Sequence, residues 1–222
     1  MAFKQAVTPG GRSRSQGSIG RNIAEFDTGE MRRNLLEVLA LADEATEREG
    51  LAWYPSAHSI GADLAIDHGA TVAQAAGVIA ALSPQNGWGS NVAQAGQAFG
   101  DGHAGDVGHY DDATGKATAI IAGADPDGVL GGRKVRSFYR NIVDPLRPGH
   151  VTIDRHMVDL LTGERFADAK VLERVGVYQL AAAVIRGVAR ELGMLPQEVQ
   201  AVAWVAWRKL HDVAYRFDGA EF

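Results

Sequence analysis

Residues 130–141 read Leu130-Gly131-Gly132-Arg133-Lys134-Val135-Arg136-Ser137-Phe138-Tyr139-Arg140-Asn141, and residues 151–156 read Val151-Thr152-Ile153-Asp154-Arg155-His156. The first stretch is a paired-glycine turn that opens a short helix on a lysine. The second is a short β-branched approach to an aspartate that starts another helix. Neither glycine has a side chain, so the backbone amides around Gly131 and Gly132 can approach an anion closely, at the end of a helix whose dipole favours negative charge. The same pair also fits a plain helix C-cap. Lys134 stands at the electrostatically unfavourable end of its helix, beside Arg133 and Arg136. Those are conditions that disfavour the ammonium form and free an amine for attack; the alternative is a solvated lysine that touches a phosphate. Asp154 is an N-cap, a carboxylate facing a developing cation, or both at once.

Working outward, the chain reads as helices throughout. Asp27 or Thr28 caps a helix running to about Glu49, with Met31, Leu35, Leu39 and Ala42 along one face and Gly50 as its stop. Trp53-Tyr54-Pro55 reads as a turn feeding a short helix through Ile60, Leu64 and Ile66. Thr71 caps a helix over 72–82 that is apolar on nearly every side and therefore central. It stops at Ser83-Pro84-Gln85-Asn86-Gly87-Trp88, and another helix follows over about 89–99. Residues 100–113 read as an exposed loop, 114–122 as a helix, and Asp125-Pro126-Asp127 as a helix start. Helices over 175–192 and 196–211 complete the chain. No stretch alternates like a strand, so the fold expected is all-α, with a Gly/Ser/Arg-rich flexible arm over 1–21 and one helical domain over 22–222.

Bulk properties narrow the function. Cysteine is absent, which excludes disulfides, thiolate catalysis and any cysteine-bound zinc or iron–sulfur cluster. No apolar run has the length of a membrane span, and Met1–Arg21 lacks the apolar core of a signal peptide, so a cytoplasmic protein is expected. The formal net charge is −5, yet basic residues gather in two places: Arg12, Arg14 and Arg21, and then Arg133, Lys134, Arg136, Arg140 and Arg147. A nucleic acid held by one basic face is compatible with that distribution. His103 and His109 lie in a polar loop without metal-ligand spacing, so no metal is expected. Neither a phosphate-binding Walker loop nor a Gly-x-Ser-x-Gly elbow occurs.

Taken together, Gly132-Arg133-Lys134 with Asn141, Ile153-Asp154-Arg155-His156, and Leu82-Ser83-Pro84-Gln85-Asn86 at a helix end resemble the helix-hairpin-helix DNA glycosylases of the endonuclease III type. The resemblance spans about residues 72–162. It implies two helical lobes with a cleft between them and a hairpin over 125–142. It also implies double-stranded DNA as partner and no cofactor. By position Lys134 resembles the nucleophilic lysine and Asp154 the essential aspartate. Gln85 resembles the residue that fills the gap left by an extruded base, with Asn86 beside it. Gly131, Gly132 and Arg133 resemble the phosphate-binding hairpin, and Arg155 and His156 are further candidates for phosphate contact.

Trp53, Tyr54 and Trp88 are candidates to stack on a flipped base, or else partly buried core. Gln200, Trp204, Trp207 and Arg208 read mainly as packing on the last helix, with Arg208 a candidate phosphate contact. The function implied is base excision with lyase activity. Some phage enzymes that hypermodify thymine resemble the same superfamily, so a transferase replacing pyrophosphate on a 5-hydroxymethyluracil-derived base with an amine is the second reading, placed in the host cytoplasm. A non-catalytic DNA-binding helix-hairpin-helix protein is the third.

Overall fold

A computed structural model describes residues 26–165 and 169–211; the arm expected over 1–21 lies outside them. The described residues are helical, with no strand among them. Along the chain run α1 (Thr28–Ala40), α2 (Glu44–His68), α3 (Val72–Ala81), α4 (Trp88–Asp101) and α5 (Asp111–Ile121). After these come α6 (Pro126–Val129), α7 (Arg133–Val143), α8 (Arg155–Thr162), a 3-10 turn (Ala169–Glu173), α9 (Val177–Leu192) and α10 (Pro196–Leu210). No single described helix is long and apolar enough to cross a membrane.

Local chemistry sets most of the starts. Asp27 accepts from the amides of Gly29 and Glu30, and Thr71 and Gln74 form a reciprocal capping box. Two expectations fail at α2. The helix starting at Thr28 does not run to Glu49: it stops at Leu41, and Asp43 starts a new one by accepting from Thr46 N at 2.7 Å. That helix then passes through Gly50 and Pro55, where a stop and a turn were expected. Gly50, Tyr54, Ala57, Gly61 and Ala65 form one buried stripe along it, and burial of that stripe outweighs the weak local propensity. The loop after α4 is also less exposed than expected. Ala104 and Val107 are buried in it, pinned by Thr118 Oγ1 and Gln94 Nε2.

The buried side chains form two cores. One gathers α2 to α5 and α7 around Ile79, Leu82, Ile120, Leu130 and Ile142. The other gathers α1, α8, α9 and α10 around Leu35, Ile153, Met157, Leu160 and Ile185. They meet where α2 crosses α10. There a Cβ on residue 50 would stand 2.4 Å from the Val202 Cα, a distance only glycine avoids. Gly50→Ala should therefore destabilise the fold by about 2 kcal/mol despite alanine's better helix propensity, because the new methyl meets backbone that cannot swing aside. The expected fall in Tm is roughly 4–8 °C; an unchanged or raised Tm in a thermal melt contradicts this account of the crossing.

Candidate functional site

The seam between the cores carries the polar chemistry. Val151, Thr152 and Ile153 are buried, and they deliver Asp154 to the start of α8. Its Oδ1 accepts from Met157 N at 3.0 Å, the N-cap bond, while Oδ2 accepts from Trp204 Nε1 on α10 at 3.0 Å. Asp154 is thus a cap and something more: its second oxygen is held by a side chain fifty residues away. Tyr178 fixes the approach from behind, its phenol donating to Val151 O at 2.7 Å and accepting from Ile153 N at 3.2 Å.

Trp204 is the hub of an aromatic wall. Its ring centroid lies 5.1 Å from that of Trp53, which in turn lies 5.5 Å from Trp88. The Arg208 guanidinium sits 4.5 Å over the Trp204 ring, and His156 meets it edge-on at 6.4 Å. Trp53 and Trp88 pack against the first core and Trp204 against the second, so the wall bridges them. Tyr54 does not share the wall. Its ring is buried beside Phe138, and its hydroxyl donates to Gln200 at 2.6 Å, so it forms the floor instead of a stacking face. Burial pushes the Tyr54 phenol far above its ordinary range, against hydrogen bonding from Thr152 and Asn141 that pulls it down.

Lys134 begins the helix face that leads here. Phe138 lies one turn on and Asn141 two turns on. Phe138 meets Trp88 at 6.3 Å, and Asn141 donates to Thr152 Oγ1 at 3.2 Å, two residues before Asp154. Lys134 itself is half-buried and has no hydrogen bond or ion pair among the described residues. Gly132, with φ of 67°, is the N-cap of α7 and makes no side-chain cap bond, which leaves the first amides of that helix to other acceptors. Leu130 is buried, and Arg136 Nε donates to its carbonyl at 2.6 Å, fastening the glycine link to α7. Arg133 and Arg155 are exposed.

Gln85 is the one described non-glycine residue with positive φ, at 55°, and it is exposed on the 83–87 loop. Its side-chain oxygen accepts from Tyr110 at 2.7 Å, while Asn86 is turned inward onto Leu82 O and Gln94. Pro84, Gly131 and Val135 line one hollow of about 230 Å³, so this loop and the glycine link are neighbours. Among the described residues no cluster of metal-ligating side chains occurs.

Gln200 and Trp204, expected mainly as packing, instead make the hydrogen bonds to Tyr54 and Asp154. Their signal was present in the four-residue spacing that places Gln200, Trp204 and Arg208 on one face. What lay opposite that face was not readable. Burial holds His156 below its ordinary range, with Arg208 and Arg155 adding to the effect and Asp154 and Asp159 opposing it; burial does the same to His150. In the unfolded chain both imidazoles take protons near pH 6.5. Folded, they resist, so stability should be constant above that pH and decline as pH falls from about 6.5 through the depressed folded values. His156→Gln should shrink the difference between urea midpoints measured at pH 7.5 and 5.5; an identical difference removes His156 from this linkage.

The family model described as Family of unknown function (DUF7178) matches residues 18–211, and the chain belongs to that family. No curated protein and no solved structure matches it.

Proposed function

We propose that this family member is a DNA base-flipping enzyme that excises a damaged or modified base, a DNA glycosylase with lyase activity. In this reading α6, the Leu130–Gly132 link and α7 are the helix-hairpin-helix, and the two cores are lobes bordering a cleft. The observation that carries it is Asp154. Its carboxylate is held by Trp204 against a tryptophan wall, at the seam reached by the Lys134 face of α7.

Backbone amides at Gly131, Gly132 and the start of α7 take a phosphate. Gln85, already in a sparsely populated conformation at an exposed tip, enters the stack vacated by the target nucleotide. The nucleotide turns toward the tryptophans. Asp154 takes a proton from the Lys134 ammonium, or keeps its charge and stabilises positive charge on the sugar. The amine bonds to C1′ as the glycosidic bond breaks, the bonding pair and a proton going to the departing base. The C1′ amine adduct then opens the sugar ring, the C1′–O4′ bonding pair leaving on O4′ with a proton, and the iminium so formed loses a C2′ proton and expels the 3′ phosphate.

A panel of duplexes carrying damaged or modified bases tests this. Release of free base and formation of a borohydride-trapped adduct are expected on at least one; no base released from any of them refutes excision. One observation favours a second reading. Lys134 and Asp154 share no hydrogen bond or ion pair, so the carboxylate can serve alone, deprotonating an incoming amine that displaces pyrophosphate from the 5-methylene of a flipped base. Pyrophosphate release from pyrophosphorylated 5-hydroxymethyluracil DNA, without abasic sites, selects that reaction. DNA binding with no chemistry on any substrate selects the non-catalytic module.

A further inference from the structure

A second hollow of about 230 Å³ opens between α7 and α9, on a different face of α7 from Lys134. Arg133, Arg136, Ser137 and Arg140 line it from α7, at the three- and four-residue steps of one helix face, and Gln179 and Arg186 line it from α9. Four guanidiniums therefore surround one small space in a protein whose formal net charge is −5.

Little within the described residues neutralises them. Asp127 pairs with Arg140 at 2.9 Å, and both side chains remain partly exposed. Arg136 and Arg186 are each anchored by a backbone carbonyl, Leu130 O and Gly149 O, both at 2.6 Å, which positions them without cancelling their charge. Arg133 has no bonded partner among the described residues. The single phenolic proton of Tyr178 goes to Val151 O at 2.7 Å, so across the 3.4 Å approach between the two hydroxyls Ser137 is the donor, and its oxygen faces the hollow as an acceptor beside the guanidiniums. The local field is felt next door, where after burial Arg140, Arg147 and Arg186 lower the His150 pKa.

We infer that this hollow binds a phosphoryl group, supplied by a backbone phosphodiester of the DNA strand that approaches the glycine link. Guanidinium forks match phosphate oxygens in pairs, and the space is below the roughly 300 Å³ where pockets for drug-sized molecules begin, which suits a small anion. Arg133 directly follows the glycine link and lines the hollow, so the two sites adjoin. From Arg133 to Arg140 the helix rises about 10 Å, or about three base steps of a strand at 3.4 Å each. The assignment rests on the DNA-binding reading above; the alternative source of the same chemistry is a free polyphosphate.

The test uses the full chain in two arms. In the first, duplex affinity is measured by fluorescence anisotropy between 50 and 200 mM salt for the parent, for Arg133→Gln and for Arg133→Gln/Arg140→Gln. A lost phosphate contact flattens the log–log salt slope by about 0.9, so the double variant, which empties the one phosphate site, should lose about 0.9. Arg133→Gln breaks no hydrogen bond among the described residues and should lose about half of that, which separates charge from misfolding. In the second arm, inorganic pyrophosphate is titrated calorimetrically into the same proteins without DNA.

A flattened slope supports the proposal. An unchanged slope with pyrophosphate binding lost in the variants assigns the hollow to a free polyphosphate and overturns the DNA source. No change in either arm removes the phosphate site altogether. If the parent binds no DNA under any salt, the reading of overall function fails, and the pyrophosphate arm still judges the hollow.

Discussion

Asp154→Asn should leave a folded protein that has lost about 10³-fold of its single-turnover rate. A positioned acid–base group typically contributes 10²–10⁴, and in the proposed mechanism the same group is the one that faces the sugar cation. The substitution separates the two jobs of this side chain. Asparagine caps helices as well as aspartate does, so the bond to Met157 N survives and α8 keeps its start. The Trp204 bond is different: its indole needs an acceptor, which an amide supplies with one face only. If the amide presents its nitrogen there, an unsatisfied donor costs about 1 kcal/mol or slightly more, far too little to unfold the chain. Duplex affinity should stay within about twofold, because neither Asp154 oxygen belongs to the basic face of α7. A variant with parental rate and normal melting would end the proposed role of the carboxylate.

Lys134→Gln should abolish the borohydride-trapped adduct entirely while leaving the protein as stable as its parent or a few tenths of a kcal/mol more so. The reason for the second half is electrostatic. A cation in the first turn of a helix opposes the dipole by about 0.3–1 kcal/mol at the surface, and Lys134 has no ion pair among the described residues to offset it. A residue kept at an unfavourable place without a structural partner is the pattern expected of a functional group. The control is Lys116, whose Nζ lies 3.7 Å from where a Cβ on Gly131 would stand and which pairs with Asp112. Should the adduct persist in Lys134→Gln and vanish in Lys116→Gln, the nucleophile is the lysine of α5 and the carried-over role of Lys134 is wrong. Adduct lost with base release retained would instead divide the chemistry, leaving excision to Asp154 and only the lyase step to the amine.

Under the proposed function, the basic face of α7 is the means by which an acidic chain addresses DNA. Net charge sums over the whole surface, whereas binding depends on what one face presents. Arg133, Arg136 and Arg140 repeat along one side of an eleven-residue helix, and α9 adds Arg186 from the opposite core. The first three could be read from their spacing. Arg186 could not, because nothing local marks the arginine of a helix forty-odd residues away as their neighbour.

Single residues show where legibility ends. Asp27, Thr71, Asp154 and Pro196 announce helix starts because capping is a bond within three residues, or a ring that pre-sets one backbone angle. Cysteine's absence excludes whole chemistries by itself. The ordered glycine link, lysine and aspartate are visible as letters. Gly50 and Pro55 mislead because their local preference for ending a helix is overruled by a stripe that packs against α10. Tyr54 with Gln200, and Asp154 with Trp204, are pairs 146 and 50 residues apart. Such contacts are fixed by which apolar faces bury against each other, a property of the whole chain at once. The sequence therefore determined where helices begin and which reactive groups exist, whereas the tertiary structure alone decided which of those groups share a seam.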